Sequence, residues 1–172
     1  MNALDREELL AIIGQHGGTT PGLAPLGDGD GLRHARRLER VNPTCGDRVD
    51  LALTVEDGVA VLRGAASGCT LSRASASLLA ATVRSMAPRD AAALLAVLVP
   101  AREVGRPLDR SALPRLTGVG ADGPAPGSDE AFVQDSCAGP LLALAELAVA
   151  PLRRRCILLP WTAAQTLLEA RR

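Results

Sequence analysis

Aromatic side chains are nearly absent from this chain of 172 residues, which contains one phenylalanine, one tryptophan and no tyrosine. Proteins that bind single-stranded nucleic acid stack the bases on aromatic rings, so this scarcity argues against an RNA-binding module. The sequence also lacks an excess of charge of either sign, with 19 basic and 19 acidic residues. No overall field therefore attracts nucleic acid or an anionic membrane, and we expect a partner to be recognised through a local surface.

Long hydrophobic runs are missing too. Residues 1–15 mix charged and apolar side chains and do not form the apolar stretch of a signal peptide. No other segment has the length and hydrophobicity of a membrane span. Four cysteines in a chain without an export signal favour a reducing compartment and metal or sulfur chemistry over disulfides. The sequence therefore predicts a cytoplasmic protein, and its apolar content suits a single domain over residues 1–172.

A hairpin of two short strands is the clearest structural prediction. Residues 49–54 alternate apolar and polar side chains, residues 56–58 (E-D-G) suit a tight turn, and residues 59–63 form the return strand. Residues 32–41 are a candidate edge strand. Helical spacing of apolar residues predicts helices at 5–13, 71–85, 88–99, 140–149 and 161–169.

Prolines set several of these predicted boundaries. Pro88 suits the first position of its helix, and Pro100 closes that helix. Pro151 ends the next helix, residues 152–155 form a basic connector, and Pro160 starts the last helix. Residues 102–127 are rich in proline and glycine and predict a long loop, with at most a short helix at 109–113.

The sequence V-N-P-T-C-G-D-R at residues 41–48 places a thiol and a carboxylate inside a turn. Asn42, Pro43 and Gly46 are turn-forming residues, so a bend holds the side chains of Cys45 and Asp47. A thiolate and a carboxylate directed at one point are useful mainly as metal ligands. We therefore expect Cys45 and Asp47 to be two ligands of a metal site completed from elsewhere in the chain.

Cys69 is the third predicted ligand. Cys45 and Asp47 precede the first hairpin strand and Cys69 follows the second, so antiparallel pairing brings all three together. Cys69 also lies at or just before a predicted helix N-terminus, where unpaired N–H groups and the helix dipole favour a thiolate.

Cys156 follows three arginines at a predicted junction between helices, where positive charge again favours the thiolate. Cys137 has no companion carboxylate or strand pair nearby in the sequence and is interpreted as a cysteine that is not a ligand. His16 and His34 are isolated in a predicted loop and a polar strand, so the favoured interpretation of both is a solvent-exposed histidine.

Three thiolates and one carboxylate form a complete tetrahedral shell for zinc, and the same set could hold an iron–sulfur cluster. A purely structural zinc site favours cysteine and histidine, whereas a weakly bound carboxylate can leave and free a coordination position. We therefore expect an exchangeable site. A structural zinc protein that acts only as an interaction module is the remaining alternative.

Three motifs resemble the SufU branch of the IscU/NifU N-terminal-like proteins of iron–sulfur cluster assembly. They are N-P-T-C-G-D-R at 42–48, S-G-C-T-L-S-R-A-S-A-S at 67–77 and P-L-R-R-R-C-I-L-L-P-W at 151–161. The likeness covers about residues 32–168, and the long segment between the second and third motifs, about residues 102–137, is similar to the insertion of the SufU branch.

The resemblance implies an α+β fold in which a small antiparallel sheet packs against several helices. It also implies that Cys45, Asp47, Cys69 and Cys156 bind zinc. Asp47, the single carboxylate, would be the weakly bound and therefore labile ligand. Cys156 would accept persulfide sulfur from a SufS-type cysteine desulfurase, and Arg153 would help to dock that partner. The protein would then be a zinc-dependent sulfurtransferase; the alternative is a scaffold on which a transient iron–sulfur cluster is assembled.

Overall fold

A three-stranded antiparallel sheet, in the order β1-β2-β3, packs against helices in the computed structural model of the protein. The structure describes residues 6–27, 35–106, 108 and 139–170. Its elements are α1 (Arg6–Thr19), β1 (Arg36–Val41), β2 (Arg48–Glu56), β3 (Val59–Ser67), α2 (Thr70–Val83), α3 (Pro88–Val104), α4 (residues 139–146) and α5 (Pro151–Glu169). The predicted α+β class is confirmed.

The strand register brings the end of β1, the start of β2 and the end of β3 to the same end of the sheet. Val41, the last residue of β1, pairs with Arg48 at the start of β2, and Arg48 pairs with Ser67 at the end of β3. The turn that joins β1 to β2 and the junction that joins β3 to α2 are therefore neighbours. This register places the two predicted cysteine motifs side by side.

Helix α2 lies at the centre of the molecule. Every residue from Ala74 to Val83 is buried, and the helix packs against α1, α5 and β3. Its run of alanine and serine allows this close packing, because small side chains let neighbouring helices approach. Around it, leucine, valine, alanine and the buried Trp161 fill the core. None of the described helices is both long and apolar enough to cross a membrane.

The largest difference from the sequence prediction is that residues 151–169 form one continuous helix. Pro151 starts α5 instead of ending the preceding helix, and Pro160 lies inside α5 instead of starting a new one. No basic connector exists at 152–155, so Cys156 lies within a helix and not at a junction. A proline within a helix removes one backbone hydrogen bond, but the buried face of α5 compensates for this loss.

Other predicted boundaries also change. Helix α1 extends to Thr19, and Gly17 within it packs so closely on Thr70 that an added Cβ atom would lie 2.4 Å from its Cγ2. Helix α3 continues through Pro100 to Val104, and α4 ends at residue 146. The strands at 36–41, 48–56 and 59–67 confirm the hairpin and the edge strand. Most of the insertion predicted at 102–137, including the short helix at 109–113, lies outside the described residues.

Two fully buried serines on α2 provide a test of how α5 is held. The Oγ of Ser75 donates a 2.7 Å hydrogen bond to the carbonyl of Ile157, whereas the Oγ of Ser72 has no partner within the described part of the chain. We expect Ser75→Ala to lower the free energy of unfolding by about 1 kcal/mol. Ser72→Ala, the matched control, is expected to be neutral or stabilising. Urea denaturation measures both, and equal effects would contradict the assigned role of Ser75.

Candidate metal centre

The turn between β1 and β2 is closed by its own backbone. The N–H of Asn42 donates to the carbonyl of Asp47 at 2.8 Å, and the N–H of Gly46 donates to the carbonyl of Asn42 at 2.8 Å. The side-chain oxygen of Asn42 accepts the N–H of Thr44 at 3.1 Å. Gly46 has φ of 75°, a conformation that glycine adopts without strain. These contacts fix the direction of the side chains of Cys45 and Asp47.

Asp47 is only 2% exposed, and its carboxylate accepts two hydrogen bonds from Cys69. The backbone N–H of Cys69 lies 2.9 Å from Oδ1, and its thiol lies 3.0 Å from Oδ2. Cys69 is the N-cap residue of α2, but its side chain makes no capping hydrogen bond. The predicted closeness of Cys69 to Asp47 and to the start of a helix is therefore confirmed by the geometry.

Cys156 approaches the same point from α5. Its Sγ lies 3.8 Å from the Sγ of Cys45, and the ligand atoms of Cys45, Asp47 and Cys156 all lie within 4.8 Å of one another. Cys156 is 3% exposed, whereas Cys45 is exposed. Helix α5 packs against β1, β2 and α2, which positions Cys156 beside the turn. The structure thus groups Cys45, Asp47 and Cys156, and Cys69 joins them through its hydrogen bonds to Asp47.

The protonation states follow from these contacts. Burial raises the pKa of the Asp47 carboxyl, but hydrogen bonds from the thiol and N–H of Cys69 and from the thiols of Cys156 and Cys45 lower it by more. The net pKa is therefore lowered, and the carboxyl stays ionised at neutral pH. Burial, followed by the hydrogen bond to Asp47, raises the pKa of the Cys156 thiol far above its ordinary value. A bound cation would reverse this preference, since coordination deprotonates thiols.

The donor set and its spacing fit zinc. Two sulfur ligands at about 2.3 Å from a tetrahedral zinc ion lie about 3.8 Å apart, which is the separation of the sulfur atoms of Cys45 and Cys156. Cys69 and Asp47 would supply the third sulfur and an oxygen. Because Oδ1 of Asp47 is already held by the N–H of Cys69, Oδ2 is the oxygen available to a metal.

The rim of the site is basic and apolar. Arg155 donates from Nη1 to the Oγ1 of Thr44 at 3.3 Å, which ties α5 to the turn. Arg153 is exposed on the first turns of the same helix, and Leu152 is 61% exposed beside it. Val41, at the end of β1, is also exposed. This surface combines positive charge with apolar area next to the thiols.

His16 does not match its predicted environment. It lies in α1, is half-buried, and its Nδ1 is 2.8 Å from the Oγ of Ser77 on α2. Burial lowers the pKa of its imidazole. His16 is therefore a packing residue between two helices and not an exposed loop histidine. Cys137 and His34 lie outside the described residues.

Gly68 is a site residue that the sequence reasoning did not single out. Its φ is 116°, and a Cβ atom there would lie 2.1 Å from the Oδ1 of Asp47. A glycine immediately before a cysteine at a strand-to-helix junction is the signal that could have revealed it. Arg155 was predicted only as part of a connector, because the contact with Thr44 depends on the continuous helix.

Comparisons with known proteins agree with this architecture. Residues 30–113 match the model of the NifU-like N terminal domain. The fold is similar to that of a protein from Fervidobacterium islandicum AW-1, assigned as an iron–sulfur cluster assembly scaffold protein for the SUF system, at 18% identity and a TM-score of 0.63, covering 91% of this chain and 93% of that one. It is also similar to the N-terminal part of a nitrogen-fixing NifU-like protein from Brucella abortus, at 17% identity and a TM-score of 0.56, covering 94% of each chain. No curated protein matches the sequence significantly.

The matched segment runs from before β1 to beyond α3 and contains both the turn of Cys45 and Asp47 and the junction of Cys69. Together with the fold, it confirms the predicted resemblance of the chain to the IscU/NifU N-terminal-like proteins. This family functions in iron–sulfur cluster assembly.

Proposed function

We propose that the protein is a zinc-dependent sulfur carrier that accepts persulfide sulfur from a SufS-type cysteine desulfurase in a reducing cytoplasm. The observation that supports this proposal most directly is the convergence of three thiols and a single carboxylate, with two sulfur atoms at the spacing of zinc ligands. Cys45 and Cys69 would be the lasting ligands. A bound zinc ion would keep the thiols deprotonated and therefore nucleophilic.

Cys156 is the proposed sulfur acceptor. Its sulfur attacks the outer sulfur of the persulfide on the desulfurase, the bond between the two sulfur atoms of that persulfide breaks, and the desulfurase cysteine leaves as a thiolate. Cys156 then carries the persulfide, and the exchange involves no net oxidation or reduction. Asp47 is suited to the labile position, since the N–H of Cys69 continues to hold its carboxylate when Oδ2 is not a ligand.

Docking of the desulfurase is the proposed role of the rim. Arg153 and Leu152 are exposed within one turn of Cys156, and Val41 is exposed beside the turn of Cys45. Charged and apolar side chains around a reactive group are typical of surfaces that position a protein partner. Arg153 would contribute mainly to the rate of association.

Metal analysis combined with sulfur transfer tests the proposal. Protein purified without added metal is expected to contain one zinc ion per chain, and to accept labelled sulfur from a SufS-type desulfurase supplied with labelled cysteine. Asp47→Ala should retain the protein fold but lower the transfer rate by about tenfold or more, because a metal ligand and its hydrogen bonds with Cys69 are lost together. The control is Asp50→Ala on β2, whose carboxylate pairs with Arg37 away from the thiols.

The scaffold function is the second candidate, and the carboxylate among the thiols favours it, since an exchangeable oxygen ligand also suits a transient cluster. Anaerobic reconstitution with iron and sulfide separates the two. A coloured, stoichiometric cluster in a protein that accepts no labelled sulfur would support the scaffold and contradict the carrier.

A further inference from the structure

A second polar feature lies on another part of α5. A pocket of about 360 Å³ is formed by the C-terminal end of α3, the segment that follows α4 and the first turns of α5. Its charged lining residues are Arg102, Arg106, Arg154 and Glu146. Arg154 and Cys156 are two residues apart in an α-helix, which places them about 200° apart around its axis. The pocket is therefore separate from the metal centre.

Arg102 is the most unusual residue of this pocket. It is 4% exposed, and its Nη1 donates to the carbonyls of Ala145 at 3.2 Å and Leu147 at 2.7 Å, at the end of α4. Its Nε and Nη2 have no hydrogen-bond partner in the part of the chain that the structure describes. Buried donors are nearly always paired, and those of a cation most of all. Two unpaired donors on the buried guanidinium of a residue that lines a pocket indicate a missing acceptor.

Arg154 brings a second positive charge to the same place. Its guanidinium lies against Gly105, where an added Cβ atom would be 2.5 Å from Cζ and from Nη1. Gly105 ends α3 with φ of 68°. The pKa of Arg102 is lowered, first by burial and then by the charge of Arg154. The like charges of the two guanidinium groups repel each other, and an anion bound beside both would relieve that repulsion.

Capping of α4 does not account for this arrangement. The two carbonyls at the end of α4 use one nitrogen of Arg102 and involve neither Arg154 nor Arg106. The pocket collects three arginines against one glutamate, so its lining carries an excess of positive charge. Guanidinium groups present paired N–H donors that match the oxygen atoms of phosphates and carboxylates.

We propose that this pocket binds a small oxyanion with at least two negative charges, of the phosphate or polycarboxylate class. The free donors of Arg102 and the guanidinium groups of Arg154 and Arg106 bind its oxygen atoms. The volume of 360 Å³ is at the lower end of small-molecule sites, which suits a compact anion.

Isothermal titration of the full chain with inorganic phosphate and, separately, with citrate tests this inference. The titrations are made at constant ionic strength, with chloride as the balancing anion. The wild type is expected to bind at least one of the two anions saturably, at one site per chain. The anion that gives a saturable titration identifies the ligand as a phosphate or a polycarboxylate. Arg154→Gln is expected to weaken this binding about tenfold or more, since a charge-assisted hydrogen bond is lost.

Arg89→Gln is the matched control. Arg89 lies at the opposite end of α3, and its side chain is 87% exposed. The Arg89→Gln variant should bind the anion with the same affinity as the wild type. Thermal denaturation gives an independent readout: without the anion, Arg154→Gln is expected to be at least as stable as the wild type, and on adding the anion the wild type and Arg89→Gln should gain more stability than Arg154→Gln. The proposal is overturned if the wild type saturates with neither anion, or if Arg154→Gln and Arg89→Gln bind equally.

Discussion

A Cys156→Ser variant is expected to lose acceptance of sulfur from a cysteine desulfurase by at least about 100-fold, because a hydroxyl cannot form a persulfide and is a far weaker nucleophile than a thiolate. Serine has nearly the same volume as cysteine, so the buried position in α5 should tolerate it. The measurement is transfer of label from labelled cysteine to the protein, resolved under non-reducing conditions.

Two further cysteine variants separate loss of the acceptor from loss of the site. Cys45→Ser should weaken zinc binding but leave Cys156 able to take up some sulfur. Cys137→Ser, at the cysteine interpreted from sequence as a non-ligand, should transfer at the wild-type rate. If Cys156→Ser still accepts sulfur at the wild-type rate, Cys156 is not the acceptor.

The second large effect is expected from Gly68→Ala. A methyl group there would lie 2.1 Å from Oδ1 and 2.7 Å from Cγ of Asp47, and the φ of 116° is unfavourable for any side chain. Either Asp47 moves away from Cys69 or the strand end shifts. We expect zinc affinity to fall by about 10- to 100-fold, as for other residues that orient ligands, and the free energy of unfolding to fall by about 3 kcal/mol.

Gly58→Ala provides the control for backbone strain. Gly58 has φ of 82° in the turn between β2 and β3, but no atom lies within 4 Å of the added Cβ position. It should therefore cost about 1–2 kcal/mol of stability and leave zinc affinity unchanged. Competition with a chelator measures affinity, and denaturation measures stability. Equal affinity losses in the two variants would show that Gly68 acts only through strain.

The hairpin and the turn of Cys45 and Asp47 could be predicted from sequence because their signals are local. The E-D-G turn at 56–58 and the alternation at 49–54 specify pairing by themselves, and pairing then fixes where Cys69 lies. The turn residues around Cys45 act in the same way, through hydrogen bonds that span only five residues.

The path of α5 could not be predicted in this way, since it depends on tertiary packing. Proline at 151 and 160 indicates two helix boundaries when only local hydrogen bonding is considered. In the structure, Pro160 is buried with Trp161 and Ile157, and Ser75 on α2 bonds the carbonyl of Ile157. Burial of one apolar face outweighs the lost backbone bond. The same reasoning applies to Pro100, which lies inside α3.

The short distance between Cys45 and Cys156 also has a redox consequence. Their sulfur atoms are 3.8 Å apart, and Cys45 is open to solvent, so oxidants reach one member of the pair directly. A disulfide between them would need the sulfur atoms to approach to about 2.05 Å, and it would consume the proposed acceptor. Ligands bound to a metal are unavailable for that reaction. A metal bound at the site would therefore protect both thiols against oxidation by air.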